Sequence, residues 1–212
     1  MKKTQNKLTK NSLLVILSGI FTAALIISNI LAFKLFAVGG LVLTAGILIF
    51  PVTYIINDVL SEIFGHKIAK RVILLGFIMN LVAVILYSIA IALPSPVYFA
   101  GSVAFATVLS NSIRVLIASF LAYLVGSLLN SLVLVKLKAK LEKYLMFRCV
   151  ASTLVGETAD SIIFLTIAFA FVMPWPALLG MIVLQIIAKT LYEVVLYPFT
   201  RTIINKIKTL KD

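Results

Sequence analysis

Acidic residues are scarce in this chain. Of 212 residues only seven are Asp or Glu, against nineteen Lys and Arg, and there is one Cys, one His and one Trp. The single cysteine, Cys149, excludes an internal disulfide and a multi-cysteine metal site. The single histidine, His66, excludes a paired-histidine metal centre; it lies in a charged turn and reads as a solvated loop residue. No Gly-x-x-x-x-Gly-Lys-Ser/Thr phosphate loop is present, so an ATP-driven step would need a separate subunit. No nucleophile is recognisable beside a base. These absences point to a chain that is not an enzyme and holds no cofactor.

What is there is apolar. Hydrophobic residues make up 62% of the chain, with a mean hydropathy of +1.17, where a soluble domain is nearer half apolar. Several runs reach roughly 18 residues, the length that crosses a bilayer. The chain reads as all-α and polytopic: one transmembrane domain, residues 1–212, a bundle of six helices. The spans fall at roughly 12–33, 41–60, 72–93, 112–135, 150–173 and 177–200. The fourth apolar run begins near 103 and is interrupted by Ser110-Asn111-Ser112, which predicts an interfacial or re-entrant piece before the span. Gly46 and Phe50-Pro51 interrupt the second run. Proline removes a backbone donor and disfavours helix at the residue before it, so this segment is either broken or merely kinked. The start, with Lys2, Lys3, Lys7 and Lys10 ahead of an apolar run, reads as a retained first helix rather than a cleaved signal peptide.

The net charge of +12 could suggest nucleic acid. The positions argue against it. Sixteen of the nineteen cations fall at the amino end, at Lys67, Lys70 and Arg71, at Lys136, Lys138, Lys140, Lys143 and Arg148, and at Arg201, Lys206, Lys208 and Lys211. With six alternating helices all sixteen lie on one side, which by the positive-inside rule makes both termini cytoplasmic in a cell (plasma or inner) membrane. The Lys run 136–143 also favours anionic lipid headgroups.

The remaining charges are the informative ones. A charge at bilayer depth is kept only if paired, hydrated or used. Glu157 and Asp160 stand three apart in an apolar segment, on one helix face. Lys189 is near the middle of the last segment, with Glu193 one turn on. Asp58 and Glu62 are one turn apart in segment two. Lys34 and Arg114 lie nearer span ends, where long side chains can snorkel. Ser28, Asn29, Thr53, Asn57, Asn80, Ser119, Asn130 and Gln185 can be drawn facing a shared interior. Such a set suits a polar, donor-rich or partly cationic ligand: a carboxylate accepts two N–H bonds from one edge of a guanine-like base, and Phe50, Tyr54 or Trp175 could stack on it. The plainer alternative is that Glu157, Asp160, Lys189 and Glu193 form a satisfied interhelical ion-pair network.

The motifs have a match. Ser28-Asn29-Ile30-Leu31-Ala32-Phe33-Lys34, Phe50-Pro51-Val52-Thr53-Tyr54-Ile55-Ile56-Asn57-Asp58, Glu62-Ile63-Phe64-Gly65, Arg114 to Tyr123, Arg148, Ser152-Thr153, Gly156-Glu157-Thr158-Ala159-Asp160 and Lys189 together resemble the VUT (YhhQ-like) family of queuosine-precursor transporters. The resemblance runs from about residue 20 to 200. It implies a six-helix importer of 7-cyano- or 7-aminomethyl-7-deazaguanine, with Asn29, Lys34, Asp58, Arg114, Glu157, Asp160 and Lys189 as pocket residues. Asn57 and Glu193 join that set from the reading of the residues themselves. The implied partners are a nucleobase-like small molecule and membrane lipids, with no nucleic acid, and there is room for a homodimer. One departure stands out: where the family often shows Gly-Gln-x-x-Asp after Tyr123, this chain reads Gly126-Ser127-Leu128-Leu129-Asn130. A carboxylate from segment four is therefore missing, which leaves open another member of the substrate class. A substrate-binding subunit for a vitamin or nucleobase, dependent on an ATP-driven partner, is the principal alternative. A membrane enzyme using Glu157 and Asp160 as acid and base is a further one.

Overall fold

A computed structural model describes residues 9–140 and 144–208. Glu142, Lys143, Asp212, the first eight residues and the side chain of Cys149 lie outside the described part. The order of elements is α1 (Lys10–Leu31), β1 (Leu35–Val38), β2 (Leu41–Thr44), a 3-10 turn (Ala45–Leu48), α2 (Phe50–Phe64), α3 (His66–Ala92), α4 (Ser102–Leu109), α5 (Ser112–Lys140), α6 (Leu145–Phe169) and α7 (Trp175–Lys208). Among the described residues five stretches are long and apolar enough to cross a membrane: α1, α3, α4 with α5, α6 and α7. The protein is an all-α polytopic membrane protein.

Burial is inverted relative to a soluble domain. The α1 face Leu17, Phe21, Ala24, Leu25, Ser28 and Asn29 is buried at helical spacing, while Val15, Ile16, Ile20 and Ile27 are exposed. Leu74, Leu75, Ile78, Ile85 and Ile89 of α3 are likewise exposed, and Asn80 is buried. Polar groups face inward and bulky apolar ones face lipid, because hydrocarbon offers no partner to a hydroxyl or amide. The Thr9 side chain opens α1 by accepting the Ser12 amide.

The apolar run expected as a second span from about 41 is not one helix. Gly39 and Gly40 take φ of +57° and +81°, which closes a tight hairpin. Leu35 pairs with Thr44 and Val38 with Leu41. The 3-10 turn follows, and α2 starts only at Phe50, with Pro51 in its first turn, where the missing amide costs nothing. Its 15 residues span only about 22 Å, short of the roughly 30 Å hydrocarbon core. The hairpin and turn supply the rest. Leu41 lies beside Gly180 of α7, Thr44 bonds to Gln185, and the Leu48 carbonyl accepts from Tyr192. The irregular backbone thus runs down alongside α7. It is screened by α1: a Cβ at Gly46 would sit 2.8 Å from the Ser28 carbonyl oxygen. Non-helical backbone at this depth survives only where protein covers it.

The interruption at Ser110-Asn111 is realised. The short α4, with no buried residue, precedes α5. Helices α5 and α6 then make a close crossing. A Cβ at Gly126 would lie 2.8 Å from the Gly156 carbonyl oxygen, and one at Gly156 2.8 Å from that of Gly126. Small residues let membrane helices approach backbone to backbone. Asn130 is buried beside Gly156 at this crossing, so the residue standing where the family often has an acid serves helix packing.

Two apolar clusters result. One gathers Leu17, Phe21, Leu25, Tyr54, Leu60, Tyr123 and Ile207 toward the end of the bundle where the basic residues collect. The other gathers Ala32, Val115, Ala118, Leu165, Leu178 and Met181 toward the hairpin end. A polar belt lies between them.

Candidate functional site

The belt is centred on Lys189 of α7. Its Nζ lies 2.5 Å from Asp160 Oδ2 and 2.8 Å from Glu157 Oε2, both on α6. Lys189 donates a hydrogen bond to Asp160 and forms an ion pair with Glu157. The same Nζ sits 4.3 Å from the centroid of the Phe50 ring at the start of α2, a cation–π contact. All three ionisable side chains are buried. The spacing of Glu157 and Asp160 is what delivers both to one cation, since residues three apart share a helix face.

Beside this cluster is a cavity lined by Ser28 and Asn29 of α1, Thr44, Gly46, Phe50, Ser119 of α5, Asp160, Phe164, Gln185 and Lys189. A water-sized sphere has about 20 Å³ in which to move, which is room for about one water. Asn29 Nδ2 and Ser119 Oγ are buried on its wall with no hydrogen-bond partner, as is Asp160 Oδ1, whose carboxylate has the Tyr54 hydroxyl as a neighbour. Buried polar groups are normally satisfied, so three unpartnered atoms on the wall of one cavity make it the candidate site. A second, smaller cavity toward the hairpin end shares Asn29 and is lined further by Asn80, Tyr87 and Ser112. Behind Phe50 an aromatic cluster backs the site: Tyr54 and Tyr123 have ring centroids 5.2 Å apart, with Phe50 packed on both.

The nine candidate residues divide clearly. Asn29, Asp160 and Lys189 line the cavity, and Glu157 holds Lys189 from below. Asn57 is buried in α2 without reaching the lining, and Asp58 is half-buried within electrostatic range of Glu193, Glu157 and Glu62. Glu193 is buried but is not the partner of Lys189, which turns across to α6; it forms no hydrogen bond or ion pair among the described residues. Lys34 is exposed at the hairpin base, where its carbonyl accepts the Ala45 amide. Arg114 has a different task. Its Nε and Nη2 donate to the carbonyls of Ile167 (2.7 Å) and Ala170 (2.8 Å), capping the end of α6.

Sequence reasoning noted Ser28, Ser119 and Gln185 as inward polar residues but omitted them from the candidate set; it noted Gly46 only as an interruption of the second run, and it missed Thr44. The signal for the last two was the Gly39-Gly40 doublet between short alternating runs, a hairpin signature. Of the three aromatic candidates only Phe50 lines the cavity; Trp175 is half-exposed at the far end, packed on Phe171. Among the described residues no cluster of His, Cys, Asp and Glu is arranged to hold a metal.

The site sits within the part of the chain that has known counterparts. Residues 44–203 match the family model described as "Putative vitamin uptake transporter". No curated protein and no solved structure matches the chain.

Proposed function

We propose, from the premise that the chain belongs to this vitamin uptake transporter family, that it imports 7-deazaguanine precursors of queuosine through the cavity beside Lys189. The observation that carries the reading is the set of unpartnered polar atoms, Asp160 Oδ1, Asn29 Nδ2 and Ser119 Oγ, on the wall of one buried cavity that also presents an aromatic face, Phe50. A guanine-like edge offers two N–H donors to Asp160. Its carbonyl and ring nitrogen accept from Asn29 and Ser119. The ring stacks where Lys189 now covers Phe50.

Charge favours the aminomethyl form over the nitrile. Around Lys189 two buried carboxylates, Glu157 and Asp160, share a single amine. An ammonium on the ligand offsets part of that excess, and it competes with Lys189 for Asp160 while Glu157 retains the lysine. Space for about one water is too little for a purine-sized ring, so binding requires the Thr44–Phe50 stretch to draw away from α7. That stretch is the irregular part of the wall, held at its turn by few regular backbone bonds, and broken segments of this kind line many transporter sites.

The chain works as one transmembrane unit of six crossings, the second composed of hairpin, turn and α2. Both termini are cytoplasmic by the distribution of cations. The substrate then enters from the hairpin side through the smaller cavity and passes Asn29. Uptake of radiolabelled 7-aminomethyl-7-deazaguanine into liposomes holding only the purified chain tests the reading. Asp160→Asn should lower uptake at least about tenfold, or ~1.4 kcal/mol in the rate-determining free energy. Uptake that appears only when an ATPase partner is added would assign the chain to a binding subunit instead.

A further inference from the structure

A groove separate from the belt lies between the beginning of α6 and the far half of α7. It is lined by Tyr144, Met146, Phe147 and Val150 on one side and by Val194, Tyr197 and Arg201 on the other, and its open volume is about 530 Å³. Residues 194, 197 and 201 form one stripe of α7 at helical spacing, facing the stripe 147 and 150 of α6. The walls are largely apolar, Arg201 is the only charged lining residue among the described residues, and two phenols flank the groove. Phe147 and Tyr144 are more than half exposed, so the groove is open to its surroundings.

Depth decides what those surroundings are. Counting from Trp175, where α7 begins, Val194 lies about 28 Å along the helix and Arg201 about 39 Å. A bilayer has a hydrocarbon core of about 30 Å and reaches roughly 40–45 Å with its headgroups. The groove therefore starts where acyl chains end, and Arg201 stands at headgroup level. A groove at that depth on a membrane protein is filled by lipid. The charge around it selects which lipid: Lys136 on α5 and Arg201 and Lys206 on α7 belong to the same basic end.

We propose that this groove binds an acidic phospholipid, with the upper end of an acyl chain against Val150 and Val194, the glycerol region against Met146 and Phe147, and the phosphate on Arg201. Arginine pairs phosphate through two parallel N–H bonds, and basic pockets between spans at the cytoplasmic side take anionic headgroups. The proposal is independent of the substrate assigned to the belt, because it needs only the membrane setting and the groove.

Native mass spectrometry of the purified full chain, exchanged into equal amounts of phosphatidylglycerol and phosphatidylcholine, tests it. The unmodified protein should retain phosphatidylglycerol at least fivefold over phosphatidylcholine. Arg201→Gln should reduce that ratio to twofold or less, and Lys70→Gln, at another exposed cation of the basic end, should leave it unchanged. Equal retention of the two lipids by the unmodified protein would overturn the proposal. So would an equal loss in both variants, which would mean a diffuse charge effect, or a dimer cross-linked through Phe147, which would mean that a second copy fills the groove.

Discussion

Arg114 and Lys189 are both cations inside apolar segments, and the molecule uses them in opposite ways. Arg114 stands near the hairpin end and spends its guanidinium on two backbone carbonyls that the end of α6 leaves without partners. Lys189 stands at mid-depth between two carboxylates and an aromatic ring, on the wall of a cavity with orphaned polar atoms. In the first site two donors of the guanidinium are matched to protein acceptors. The second is paired through one oxygen of Asp160 while the other oxygen of the same carboxylate is left over. Cost alone does not mark function in a membrane; the partly unsatisfied surroundings of Lys189 are what single it out as the candidate.

Substitutions can break this contrast. The largest effect is expected for Lys189→Met, which strands Glu157 and Asp160 as buried unpaired carboxylates. Removing one partner of a buried pair costs about 3–5 kcal/mol, measurable as a loss of unfolding free energy in detergent. The triple change Glu157→Gln, Asp160→Asn, Lys189→Met should recover most of that stability while abolishing ligand binding. Next comes Gly156→Val, whose side chain meets the Gly126 carbonyl and Asn130. Overpacking of this kind costs roughly 1–3 kcal/mol; because it wedges α6 from α5, it should also lower substrate affinity by displacing Asp160.

Arg114→Gln should cost about 1–2 kcal/mol, since charged hydrogen bonds to two carbonyls are lost, yet leave ligand affinity within twofold, on the order of 0.4 kcal/mol. The smallest stability change belongs to Ser119→Ala. Its hydroxyl has no partner to lose, so stability should stay within about 0.5 kcal/mol, while affinity should fall about tenfold, or ~1.4 kcal/mol. Isothermal titration beside thermal unfolding separates the two quantities. A Ser119→Ala variant that loses stability but not affinity would make the belt a structural network.

Much of the plan is legible in the sequence because the bilayer imposes it. Apolar length reveals the long helices, and Ser110-Asn111-Ser112 marks where α4 gives way to α5. The pairing of Glu157 and Asp160 on one face follows from their spacing. Other features depend on partners that spacing cannot supply. Glu193, one turn from Lys189, looked like its natural mate, but the lysine reaches across to α6, where two carboxylates outcompete one. Arg114 finds acceptors 53 and 56 residues away, a contact that no local pattern announces. The hairpin was hidden because Leu35–Thr44 lies in a largely apolar stretch, and short apolar runs do not distinguish strand from helix by periodicity; only the glycine doublet pointed to it. Thr44 and Gly46 entered the site with that hairpin.

The central claim is that the cavity beside Lys189, and not the cap around Arg114, receives the ligand. Thermal unfolding of the purified protein with and without 7-aminomethyl-7-deazaguanine tests it directly, with Asp160→Asn and Arg114→Gln run in parallel. A ligand that binds the folded state at a hundred times its Kd adds about 2.7 kcal/mol of stability. The account predicts a rise in melting temperature for the unmodified protein and for Arg114→Gln, and none for Asp160→Asn. A rise of equal size in Asp160→Asn would contradict it.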